Sequence, residues 1–134
     1  MTDQQQASRT QYYDSRMFIG KTIDIEIDRP LGSRHPEHDF IYKVNYGFVP
    51  GVTGQDGEEL DAYVLGLDRP IARFTGRCIA VIRRLDEADD KLVVVPDSEY
   101  FTDEQIRDLT EFQERYFESS ISREGIESNE RTGR

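Results

Sequence analysis

Two apolar, β-branched runs on either side of a short acidic segment constrain this chain more than anything else in it. Arg77–Leu85 carries Cys78, Ile79, Ala80, Val81 and Ile82 in succession. Lys91–Val95 carries Leu92, Val93, Val94 and Val95, and Asp86–Asp90 lies between the two runs. Such runs are strands, and a short polar tip between them marks an antiparallel hairpin. Thr22–Ile27 adds a half-buried strand, with Ile23, Ile25 and Ile27 on one face and Thr22, Asp24 and Glu26 on the other. Phe40–Phe48 and Leu60–Leu67 supply two more short strands, and Asp28–Asp39 and Pro50–Glu59 are loops rich in Gly, Pro and charge.

Thr102 opens the one helix. Thr102 and Gln105 stand at capping-box spacing, and Asp103 and Glu104 suit the positive end of a helix dipole. Ile106, Leu109, Phe112 or Gln113, and Tyr116 recur with helical period and form its packing face. Five short strands and one later helix suggest a mainly β (α+β) fold, a small twisted barrel with a covering C-terminal helix. The expected organisation is a flexible arm over 1–16, or one that orders only by docking through Tyr12 and Tyr13, then a single domain over 17–118 and a polar tail over 119–134.

The chain has 134 residues, room for one hydrophobic core. Its formal net charge of −10 is the reverse of what phosphate backbones reward, so nucleic acid is not an expected partner. Cys78 is the only cysteine and lies in an apolar run, which makes it a buried thiol and excludes an intrachain disulfide. No apolar run is long enough to span a membrane and the N-terminus is polar and Gln-rich, so the expectation is a cytoplasmic protein without a membrane partner.

The acids are not spread evenly. Asp56, Glu58, Glu59 and Asp61 fall within six residues at a loop-to-strand junction. Hard cations such as Mg²⁺ take oxygen ligands of this kind, although an Asp-Gly turn with exposed acids has the same pattern. Asp86, Glu87, Asp89 and Asp90 form a second cluster at a hairpin tip, and close carboxylates repel unless a cation lies among them. Tyr42 and Tyr46 share one face of an extended stretch, as phosphate-binding hydroxyls or as core aromatics. His35 and His38 have zinc-like spacing, but with no third His and no Cys nearby a loop role suits them better.

Together, Tyr42-x-x-Asn45-Tyr46-Gly47-Phe48, Asp56-Gly57-Glu58-Glu59-Leu60-Asp61, and Asp86-Glu87 with Asp89 and Lys91 resemble the soluble Mg²⁺-dependent inorganic pyrophosphatases, the type built on a small five-stranded OB-like β-barrel. The resemblance covers Asp28–Tyr116. By position it implies that Asp56, Asp61 and Asp89 hold the first metal and that Asp61 bridges two. Asp86 and Asp28 would serve outer metals, and Glu58, beside the metals, would orient and deprotonate the attacking water. Lys91, Tyr46, Tyr42, Arg34 and Tyr116 would contact substrate. The cofactor implied is Mg²⁺, with Mn²⁺ as an alternative, and the assembly implied is a homo-oligomer.

Three departures stand out. Glu58 replaces an Asp. The chain is short between Pro36 and Tyr42, where a hairpin with two phosphate-binding cations is expected. Phe117 stands where a Lys is expected. Arg34, His35, Lys43 and Arg84 are the candidates to replace those cations. Hydrolysis of inorganic pyrophosphate is the expected activity. A metal-dependent hydrolase of a larger phosphoanhydride, such as a nucleotide or sugar diphosphate, and a non-catalytic binding module are the alternatives.

Overall fold

The computed structural model describes residues 14–126. The expected arm falls mostly outside them, Tyr12 and Tyr13 included. The fold begins earlier than expected, at a single 3-10 turn over Ser15–Phe18. The Asp14 side chain caps that turn by accepting from Arg16 N. The Arg16 guanidinium, bonded to the same carboxylate, holds Asp14 down at about 2.

The elements in chain order are β1 (Thr22–Arg29), β2 (Asn45–Thr53), β3 (Glu59–Val64), β4 (Arg73–Arg84), β5 (Asp90–Val95), helix α1 (Asp103–Glu114) and β6 (Ser119–Ser122). The strands run β1-β2-β3-β5-β4-β6, and a further β1–β4 pairing closes the first five into a barrel. All pairs are antiparallel except β3–β5, which is parallel.

β4 is the long strand that makes closure possible. Its N-terminal half pairs with β1 from Arg73 to Arg77, and its C-terminal half pairs with β6 from Val81 to Arg84. A register shift between Cys78 and Ala80 bends it where the partner changes.

Alternation along the strands builds two apolar layers. All five barrel strands contribute to the interior, through Ile25, Val49, Leu60, Ala62, Val64, Cys78, Val81, Leu92 and Val94. The opposite face, with Tyr46, Tyr63, Ile82, Val93 and Val95, packs beneath Ile106 and Phe112 of α1. β5 lies between these layers and is buried along its whole length. Burial pushes the Cys78 thiol up to about 12, so it remains a packed apolar group.

The expected hairpin, the covering helix and its Thr102–Gln105 capping box are all present. Three expectations need correction. The strand expected over Phe40–Phe48 begins only at Asn45, preceded by an isolated bridge between Arg34 and Ile41. The cause is Asn45, which is fully buried and tethers the flanking loops: its side chain accepts from Leu31 N (2.9 Å) and Ile71 N (3.3 Å) and donates to Arg69 O (3.0 Å). β2 then runs on to Thr53, through residues expected in a loop. Finally, Ser119–Ser122 is no tail, because the free edge of β4 pairs with it.

Gly47 explains why the Asn-Tyr-Gly sequence ends in glycine. A Cβ there would run into the backbone of Glu26 and Ile27 on β1. Gly47→Ala is expected to cost on the order of 3 kcal/mol in denaturant unfolding, because backbone rather than a pliable side chain must move.

Candidate active site

The parallel β3–β5 pair places Asp61 opposite Lys91. Lys91 is almost wholly buried, and its Nζ lies 2.7 Å from Asp61 Oδ2 and 3.0 Å from Asp89 Oδ1. Asp89 also accepts from Arg84 Nη1 at 3.0 Å. Arg84 then grips Glu114, at the last turn of α1, through Nε (3.2 Å) and Nη2 (2.8 Å). Burial disfavours the Arg84 charge, but Glu114 and Asp89 outweigh it and raise its pKa.

The chain of contacts continues into the helix–barrel interface. Tyr63 Oη donates to Glu114 Oε2 (2.6 Å) and accepts from Gln113 Nε2 (2.7 Å). Tyr42 Oη donates to Gln113 Oε1 (2.8 Å). A continuous polar line thus joins α1 to Asp61. Burial, with Glu114 assisting, drives the Tyr63 phenol well above its usual range. Tyr46 is raised likewise by burial and by the neighbouring Asp61.

Of these groups, Asp61, Lys91, Arg84, Gln113, Tyr42 and Tyr46 line a cavity of about 500 Å³ between α1, β1 and the loop after β1. Asp28, Arg29, Tyr42, Tyr46, Asp61, Arg84, Lys91 and Tyr116 all line it. Asp28 and Arg29 are adjacent in a strand, yet both face the cavity. The β1–β2 register shifts between Ile27 and Arg29, and the extra residue cancels the usual alternation. Burial raises the Asp28 pKa, Arg29 opposes this, and Asp61 and Glu59 add to the rise.

The expected residues therefore divide. Asp28, Asp61, Lys91, Tyr42, Tyr46 and Tyr116 meet at the cavity, and Asp89 lies directly behind Lys91. Tyr42 and Tyr46 are both buried in the core, with ring centroids 5.4 Å apart. Arg34 is exposed, bound to Asp39 at 2.7 Å, and neither it nor Lys43 lines the cavity. Asp56 and Glu58 lie in the exposed turn between β2 and β3, where Asp56 Oδ1 accepts from Glu58 N (3.0 Å) and Gly57 has φ 87°. Asp86 is exposed at the β4–β5 tip, and Tyr116 lies beyond the helix end and is 62% exposed.

Sequence reasoning missed Arg29 and Glu114 and had Gln113 only as a candidate for the packing face of the helix; the Asp28-Arg29 bulge left a local trace in Pro30 just after it. His35 has the loop role expected of it. Its Nδ1 accepts from Glu37 N and His38 N at 2.9 and 3.1 Å. Burial and the nearby His38 lower its pKa.

The donor set suits a hard divalent cation in kind, since every candidate is a carboxylate. Of the two acidic clusters, Asp61 and Asp89 come together, on Lys91. Among the described residues, no three His, Cys, Asp or Glu side chains come close enough together to hold a metal ion. Lys91 and Arg84 supply the countercharge for Asp61 and Asp89 instead. No described helix is long and apolar enough to cross a membrane.

A family described as inorganic pyrophosphatase matches residues 20–122. The chain belongs to the inorganic pyrophosphatase family. It is 36% identical over 110 residues to an inorganic pyrophosphatase of Streptomyces coelicolor, covering 65% of each chain. It is 36% identical over 96 residues to soluble inorganic pyrophosphatase 2 of Chlamydomonas reinhardtii, covering 63% of this chain and 50% of that one. The chain thus spans between half and two thirds of the length of these two relatives.

The fold is shared with an inorganic pyrophosphatase from Coxiella burnetii (TM-score 0.58, 21% identity, 76% of this chain and 84% of that). One from Ehrlichia chaffeensis gives TM-score 0.58 and 22% identity over 87% and 88% of the two chains. As in those pyrophosphatases, the architecture is a closed five-stranded barrel with one C-terminal helix.

The raised pKa of Asp28 sets a stability test for this pyrophosphatase-family site. A carboxyl whose folded pKa lies above its unfolded value opposes folding when ionised and ceases to do so as pH falls through the folded pKa. Asp28→Asn is therefore expected to be more stable than wild type in urea unfolding at pH 7. The gain should vanish at acid pH, where Asp28 is protonated.

Proposed function

We propose that this chain hydrolyses inorganic pyrophosphate to two phosphates with the help of a divalent cation, Mg²⁺ or in its place Mn²⁺. The observation that carries the reading is the meeting in one cavity of carboxylates, Asp28 and Asp61, with cations, Arg29, Arg84 and Lys91. A family member with both kinds of group at one opening can hold a metal and a polyanion side by side.

Asp61, Asp89 and Asp56 are the residues assigned to the metal, with Asp28 and Asp86 toward its outer positions. Bound there, such a cation neutralises the anhydride and lowers the pKa of water. Lys91 and Arg29 bind the phosphate oxygens, and Arg84 fixes Asp89 behind them. Tyr46 keeps its proton and donates it to substrate as a hydrogen bond. The resemblance assigns the proton of the attacking water to Glu58, one methylene longer than Asp and held in the exposed turn before β3. The same reading makes the protein a cytoplasmic homo-oligomer.

Purified wild-type chain should release phosphate from pyrophosphate only when Mg²⁺ or Mn²⁺ is present. Asp61→Asn and Asp56→Asn should each lower that rate by at least on the order of 100-fold while the far-UV circular dichroism is unchanged. Full activity in both variants would overturn the metal assignment. No release by the wild type would overturn the pyrophosphate reading and leave its two alternatives, a hydrolase of a larger phosphoanhydride and a binding module.

A further inference from the structure

Charge leaves the pairing of the β4–β5 hairpin open. Arg83 and Arg84 end one strand, and Asp89 and Asp90 stand at the start of the other. Either arginine could pair with either aspartate. The rest of the hairpin does little to choose between them. Leu92, Val93, Val94 and Val95 alternate between the two apolar layers yet are nearly alike, so exchanging their faces costs little. The tip over 85–89 holds no Gly, Pro or Asn to impose a turn type. β4 also accommodates one register shift already, between Cys78 and Ala80. A slip by one residue turns every side chain to the other face. Here it would put Asp90 in the cavity and Lys91 in the barrel interior.

The observed register is held on both faces. On the site face, Arg84 binds Asp89, and Lys91 binds Asp61 and Asp89. On the opposite face Arg83 and Asp90 are direct cross-strand partners, with Arg83 Nε 3.7 Å from Asp90 Oδ2. That oxygen is shielded and has no hydrogen bond, and the Asp90 side chain is only 6% exposed. The charges of Asp14 and Arg16 on the N-terminal turn act on the same pair. Leu92 and Val94 follow Asp90 on the interior face, where an apolar side chain would cost less than a carboxylate. A buried ion pair adds little net stability, and its best-attested use is to specify register. The two faces also differ in what they serve. Asp61 and Asp89 are assigned above to a metal, which would compete with Lys91 for them. Arg83 and Asp90 have no such second task.

We propose that Arg83 and Asp90 are a positioning pair for the active site, locking the hairpin in the register that turns Asp89 and Lys91 to the cavity. The activity they serve is the pyrophosphate hydrolysis proposed above, and the proposal rests on that reading.

The test replaces the pair by apolar groups in Arg83→Met/Asp90→Val, with Arg83→Lys as the conservative variant. In urea unfolding the double variant should be at least as stable as wild type, because a buried ion pair has gone. Its kcat for Mg²⁺-dependent phosphate release from pyrophosphate should nevertheless fall by on the order of tenfold, the loss typical of groups that orient metal ligands, with a smaller change in KM. Arg83→Lys keeps the charge and should keep most of the wild-type kcat. Without metal, the Lys91 and Leu92 amides of the double variant should give a second set of peaks in the amide proton–nitrogen correlation spectrum, and those of wild type and Arg83→Lys a single set. Wild-type kcat in the double variant, a single set of these peaks, or a fall in kcat that merely follows a loss of stability would each overturn the proposal. Failure of the parent reading shows separately, as no phosphate release by the wild type, and the peaks and the unfolding curves then decide whether the pair locks the register.

Discussion

The ion pair between Arg84 and Glu114 is the contact on which the rest of the site depends. Both side chains are more than nine-tenths buried, so neither charge is tolerable without the other. Arg84 ends β4 and Glu114 ends α1, and their pairing fixes how far the helix slides over the barrel. The remaining geometry follows from that position. Gln113 meets Tyr42 and Tyr63, Arg84 presents Nη1 to Asp89, and Asp89 with Asp61 holds Lys91. The apolar layer under Ile106 and Phe112 supplies most of the driving force, but apolar packing alone does not set a register so sharply.

Most of the fold was legible in the sequence because it is written in local period. The β4–β5 hairpin, the alternation of β1 and the capping box of α1 each involve neighbours within a few residues. What was not legible joins distant parts of the chain. Asn45 looked like part of a strand, and its role as a tether appears only when residues 31, 69 and 71 are brought to it. Ser119–Ser122 has no periodicity because its strand character comes from the vacant edge of β4 and not from its own side chains. The parallel register that sets Asp61 beside Lys91 could be reached only through the family resemblance.

The site was half legible for the same reason. The family resemblance pointed to Asp28, Asp61, Asp89 and Lys91, which the fold gathers, and also to Asp56, Glu58 and Asp86, which it leaves in exposed turns. From the sequence the acids form two clusters, and a cation is the expected means of bringing carboxylates close. The barrel neutralises Asp61 and Asp89 with its own cations, so the carboxylates can lie near one another before any metal arrives. The resemblance also pointed to missing phosphate-binding cations. Arg84 was foreseen among their replacements, but Arg29 was not, because it reaches the cavity through a one-residue register shift that leaves no period to read.

The dependence of the site on the Arg84–Glu114 pair is best tested by a double-mutant cycle in urea unfolding, with Arg84→Met, Glu114→Gln and the double variant. Each single change strands a buried group and should cost about 3 kcal/mol or more, whereas the double variant strands less. The cycle should therefore return a coupling energy of about 2 kcal/mol. Additive losses, with coupling near zero, would contradict the account.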